Sequence, residues 1–164
     1  MKKMILITII LFSGLIAGLL FSYACSVNLG LHRLLDGEYV KAMQAINIEI
    51  QNVYFFIVFI GILFLLPTAT WQSFSSMNKT TFYLLLSATI IYFIGVFAVT
   101  MFGNIPLNNQ MAAINLTTIN NKTLSAFRNH FESFWTTYHL IRTLASIISF
   151  LLTIIATLKF NLPA

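Results

Sequence analysis

Apolar residues run along this chain in four long blocks, and the polar positions between them fall into one short and two long intervals. A bilayer of about 30 Å needs roughly 20 helical residues to cross it. The blocks predict spans over about 4–27, 53–69, 81–102 and 138–160. Pro67 sets the predicted end of the second, since proline removes an amide donor and crowds the preceding turn. None of the four alternates with period two as a barrel strand would, and lipid tolerates only helices or closed barrels. The expected fold is therefore all-α: a four-helix transmembrane bundle read as a single domain over 1–164, with short amphipathic helices in the two long connections.

The intervals carry patterns of their own. After Asp36-Gly37, a turn and helix start, Tyr39, Met43 and Ile46 or Ile50 recur at helical spacing with Glu38, Lys41 and Glu49 between them. An amphipathic helix leading into the second span follows. In the other long interval Asn104-Ile-Pro-Leu-Asn108 is expected to end the third span, because Pro106 suits the start of a new helix better than the middle of an old one. A short helix through Met111-Ala-Ala-Ile114 comes next, and then one capped by Thr123 or Ser125 that carries Phe127, Phe131, Phe134 and Trp135 toward the fourth span. Unbroken from Ser125 to Phe160 that last helix would be about 54 Å long, so it must project from the membrane or bend. Gly14, Gly18 and Ser22 form a small-residue stripe suited to close helix packing.

Composition sharpens this picture. The chain is 59% hydrophobic and 8% charged, against about a quarter charged in soluble domains. The lipid bilayer is thus its first partner. A net charge of +5 comes from basic residues that, apart from Lys2-Lys3, are scattered singly, with no stripe for nucleic acid. Lys2 and Lys3, the apolar block and Ser22-Tyr23-Ala24 imitate a secretory leader ending before Cys25, but the block is too long and Tyr23 too bulky for that. Lys2 and Lys3 abut the first span and place both termini in the cytoplasm, in what is read as a bacterial inner membrane. Nothing in the pattern assigns an oligomeric state.

All four acidic residues and all three histidines then fall on the side opposite the termini, where both long intervals lie. At the mouth of the fourth span Trp135, His139 and Arg142 share one helical face. A charge at the bilayer centre costs about 2.5–3.5 kcal/mol on insertion scales, so Arg142 calls for a partner or a wet cavity. Asn104, Asn108, Ser22, Ser26, Gln51 and Asn52 lie at similar depth, while Arg128, Phe131 and Tyr138 flank the same stripe. Their convergence would make a small-molecule pocket with aromatic walls. The chain lacks HExxH, CxxC and a phosphate-binding glycine loop, and its histidines are too dispersed to define a metal site.

The segments GLIAGLLFS (14–22), YVKAMQAIN (39–47), NIPLN (104–108) and WTTYHLIRT (135–143), in this order, resemble the anthrone oxygenase-like family of small integral membrane proteins. The resemblance implies four membrane helices and, for some fungal members, oxidation of an anthrone to an anthraquinone by molecular oxygen without metal or flavin. Matched residue by residue, it points to Asn104, Asn108, Trp135 and Arg142, and also to Gln44 and Asn47. His139 stands where Asn is commoner in the family, and Val53 follows Asn52 where proline is common.

Together these readings predict an apolar aromatic substrate, with no cofactor. His139 is expected to act as base, and Arg142, Asn104 and Asn108 to stabilise the resulting oxyanion. Trp135, Phe131, Tyr138, Arg128, Ser22, Ser26, Gln44 and Asn47 are the expected substrate-binding residues. The rival reading is a non-enzymatic accessory subunit or a lipid or quinone binder, whose polar cluster merely holds helices together.

Overall fold

The computed structural model describes residues 2–74 and 79–160. It is all-helical among these residues. Helix α1 (Lys2–Ser22) runs on through a π-helical stretch (Tyr23–Val27) into α2 (Asn28–His32). Helix α3 (Asp36–Glu49) follows, then α4 (Val53–Phe74). Helix α5 (Lys79–Ile91) continues through π-helical turns (Tyr92–Ala98 and Thr100–Asn104) into α6 (Ile105–Ala112), and α7 (Asn121–Phe160) completes the fold. Four helices are long and apolar enough to cross a membrane: Met4–His32, Val53–Phe74, Lys79–Ala112 and Asn121–Lys159. The four-helix bundle is thus present, with each span longer than its apolar block.

Local chemistry explains the boundaries. The Asn52 side-chain oxygen accepts from Phe55 N at 3.1 Å, so α4 starts where an N-cap is available. Glu38 accepts from Leu35 N at 3.2 Å, closing the first turn of α3. Helix α7 is capped by Asn120, whose Oδ1 accepts from Thr123 N at 2.9 Å. That replaces the expected Thr123 or Ser125 cap.

Neither proline breaks its helix. Pro67 lies inside α4, which continues to Phe74. Pro106 sits one residue into α6. The π-helical turn before it, where Ile105 N reaches back five residues to Thr100 O, is wide enough to carry the chain past a residue without an amide donor. As a result the short helix expected through Ile114 ends at Ala112, and the third span is one rod. Helix α7, at 40 residues, is about 60 Å long and therefore extends beyond the bilayer.

Two cores stack along this long helix. The membrane core gathers Ile9, Ile62, Leu66, Leu85, Tyr92 and Val96 between spans. An outer cap packs Tyr39, Val40 and Met43 of α3 against Met111 of α6 and Phe131 and Trp135 of α7. In the membrane core the backbones approach where side chains vanish: a Cβ on Gly95 would come within 2.5 Å of Ala145 Cβ, and one on Gly103 within 2.9 Å of the Tyr138 ring. The seam lies on the third span rather than on the predicted stripe of the first. There Gly14 meets Phe150, but Gly18 faces open space and Ser22 is exposed. Interhelical hydrogen bonds join the spans as well, from Tyr92 to Phe59 O and from Ser149 to Ala88 O, both at 3.0 Å.

The cap is pinned by Arg128. Its guanidinium donates to Leu34 O at 2.6 Å, to His32 O and Asp36 at 2.9 Å, and to Glu132 at 3.4 Å, and it lies over the Tyr39 ring. His32 reaches the other oxygen of Glu132 at 2.7 Å. Burial raises the Tyr39 phenol above its ordinary range, with Glu132 and Tyr23 adding to the shift and Arg128 opposing it.

Candidate functional site

The junction between the two cores holds a cavity of about 100 Å³. Helix α7 supplies its polar end, because Trp135, His139 and Arg142 lie on one face. The imidazole stacks flat on the indole, with ring centres 5.0 Å apart, and Tyr23 leans against both rings. The Arg142 guanidinium lies 5.3 Å from the Trp135 ring centre.

Hydrogen bonds decide what His139 can do. Its Nε2 lies 3.1 Å from the Leu20 carbonyl, which can only accept, so Nε2 carries the proton. The Nδ1 lone pair then accepts from Arg142, from Nε at 3.3 Å and Nη2 at 3.1 Å. Both ring nitrogens are engaged. A proton added at Nδ1 would break these bonds and set two cations side by side, so in this arrangement the imidazole serves as an acceptor for Arg142. The third tie of Arg142 is Thr100 Oγ1 at 3.5 Å, whose own hydrogen goes to Val96 O. No carboxylate pairs with Arg142 among the described residues.

Two asparagines bracket Trp135. Asn108 Oδ1 accepts from the indole N–H at 2.8 Å, while Asn104 Nδ2 donates to the Trp135 carbonyl at 3.3 Å. With its oxygen committed, Asn108 presents an amide N–H₂ that has no protein partner among the described residues. Asn47, on α3, also has an unpartnered Nδ2, although that atom is buried. Asn47 and Asn108 both line the cavity, so with Arg142 its polar rim offers donors from two amides and a guanidinium, beside Tyr23, Thr100 and His139. The remaining wall is apolar and comes from Ile16, Leu19, Leu20, Ile46, Phe55 and Phe59 among others.

Of the residues expected from sequence, the fold brings Arg142, His139, Trp135, Asn108 and Asn47 to the cavity and leaves the rest outside it. Asn104 is buried beside Trp135 with its Oδ1 unpaired, behind the wall. Phe131 is cap core, and Tyr138 packs on Gly103. Arg128 belongs to the cap pin, and Gln44 spends its amide on Met111 O and Ile114 O at 2.9 and 3.0 Å. Ser22 and Ser26 are exposed. Gln51 and Asn52 bond to the backbone at the α3–α4 turn. Sequence reasoning missed Tyr23 and Thr100 as lining residues. Both sit in π-helical turns, where the wider coil re-aims a face that 3.6-residue spacing would send elsewhere.

The fold and this site define a class: small four-helix integral membrane proteins with an apolar cavity closed at one end by a half-buried cation. A family model described as anthrone oxygenase matches residues 51–152, and the chain belongs to that family. The match covers the second and third spans and most of the fourth, including Asn108, Trp135, His139 and Arg142. No curated protein and no solved structure matches the chain.

Proposed function

We propose that this protein catalyses oxidation of an enolisable apolar aromatic ketone or phenol of the anthrone type by molecular oxygen. The observation that carries this reading is Arg142, an uncompensated guanidinium at the end of an apolar cavity. A half-buried cation without a counter-ion at an apolar cavity favours a ligand that brings negative charge. An enolate or phenolate does so while its rings fill the apolar wall, and Asn108 and Asn47 have donors to spare for the same oxygen. Family membership points the same way.

In this reaction a ring carbon loses a proton to give an enolate whose oxygen rests on Arg142. The carbanion transfers electrons to oxygen and forms a C–O bond, and the resulting peroxide anion takes the proton back from water. Loss of water from the resulting hydroperoxide breaks the O–O bond and leaves a new carbonyl, so that CH₂ and O₂ become C=O and H₂O. His139 holds Arg142 in place; with both nitrogens engaged it does not take the proton, which passes to water. A volume of about 100 Å³ is smaller than the ~150 Å³ that admits benzene, so a fused-ring substrate must displace side chains at the open edge.

Purified protein given an anthrone should take up oxygen, and Arg142→Gln should slow that by about 10²–10³, the usual loss for one oxyanion donor. Wild-type uptake in Arg142→Gln sinks the reading. A structural role for the cluster is the second reading, favoured by the ties from His139 and Arg142 to the first and third spans. It predicts a sharp loss of thermal stability in Arg142→Gln instead. We place the protein in a bacterial inner membrane with both termini cytoplasmic, because Lys2 and Lys3 flank the first span. A terminal reporter active only outside the cytoplasm should stay silent.

A further inference from the structure

On the far side of Asn47 and Asn108 lies a second, larger hollow of about 580 Å³. It is a groove between α3 and the end of α6, and its lining is of another kind: Lys41, Gln44, Gln51, Asn109 and Asn115 with backbone of the turn after Ala112. Lys41, Gln51, Asn109 and Asn115 are exposed, so this groove faces water or headgroups. Asn47 and Asn108 line both hollows and are the wall between them. Within that wall the Asn47 Nδ2 is buried without a partner, an arrangement that water or a ligand supplying an acceptor would relieve. Gln44 holds the groove in shape by tying α3 to the carbonyls that end α6.

The inner cavity opens in the other direction too. Leu19 lines it, yet belongs to the exposed apolar stripe Met4, Ile7, Leu11, Leu15 and Leu19 that α1 turns toward lipid. Half-buried Phe55, at the start of α4, stands beside this edge.

We infer that the cavity has two doors of opposite polarity: a bilayer door at Leu19 and Phe55 for apolar aromatic molecules, and a water door through the Asn47–Asn108 wall for water and small anions from the groove. The inference deepens the proposed reaction, in which water must reach the cavity to take the proton from carbon and return it to the peroxide anion. Its geometry does not depend on turnover. Separate routes let an apolar reactant arrive from lipid while the water that carries the proton, and the water released, exchange with the aqueous side.

Thiol labelling in liposomes tests this without any catalytic step. In a Cys25→Ser background, Thr100→Cys puts a thiol on the inner cavity wall, and Ile46→Cys provides a second position should the first fail to fold. Each thiolate displaces methanesulfinate from a methanethiosulfonate and forms a mixed disulfide. The anionic sulfonatoethyl reagent should reach the thiol from water, and Ala113→Trp or Asn109→Trp in the groove should slow it about tenfold or more, whereas Leu19→Trp leaves it unchanged. The uncharged benzyl reagent should show the reverse dependence. The two-door arrangement is overturned if the anionic reagent never labels the cavity thiol, or if its rate ignores both groove substitutions and follows Leu19→Trp. Oxygen uptake is measured separately, so a protein that labels as expected but consumes no oxygen refutes the reaction and leaves the doors standing.

Discussion

His139 illustrates how a single proton assignment changes a mechanism. Donation from Nε2 to Leu20 O leaves Nδ1 as the acceptor for Arg142, so the ring serves as a two-ended spacer. An amide has both functions as well. His139→Asn is therefore expected to keep oxygen uptake within about tenfold of wild type, while His139→Leu, which can do neither, loses far more. Equal losses in the two variants would restore the base role. Asn104 is the contrasting case, because it grips the Trp135 backbone from behind the cavity wall. Asn104→Ala should lower thermal stability in detergent by about 1 kcal/mol, a typical net hydrogen bond, and leave the affinity for an aromatic ligand unchanged in a Trp135 fluorescence titration.

The third span and α7 stand or fall by their close approach. At Gly95 an added methyl would meet Ala145 Cβ at 2.5 Å, so Gly95→Ala should cost about 1–3 kcal/mol by overpacking. Ala145→Gly in the same chain should recover much of it, and thermal melts of the double variant check this. Gly18→Ala, which meets open space, should change little. The cap depends on charge instead. Arg128→Ala strands Asp36, Glu132 and two carbonyls, and is expected to cost about 2–3 kcal/mol, seen as faster hydrogen exchange in α3. Tyr39 adds a pH signature. Its phenol titrates higher folded than unfolded, so its contribution is complete below pH of about 10 and is lost as pH rises beyond. Melting temperatures taken from neutral to alkaline pH should show that decline.

The molecule is a long central helix with two cores strung along it, one in lipid and one outside, and the cavity lies where they meet. The four spans and the all-helical class were legible in the chain because crossing hydrocarbon demands an uninterrupted apolar block, a purely local requirement. The face shared by Trp135, His139 and Arg142 was legible for a similar reason, since one helix and its 3.6-residue period place all three. Tertiary structure decided the remainder. Pro67 lies within α4, and Pro106 is carried past by the π-helical turn before it, so neither ends its span. Arg128 and Phe131 sit on the same stripe as Trp135, yet the cap claims them, because α3 and α6 pack over that part of α7 and leave only its next turns to the cavity. Asn47 reaches the cavity, whereas Ser22 does not, through the docking of α3 and the π-helical turns of the first span. Helical periodicity states which residues share a face, but which face meets which is a matter of packing between segments far apart in the chain, and that no local pattern encodes.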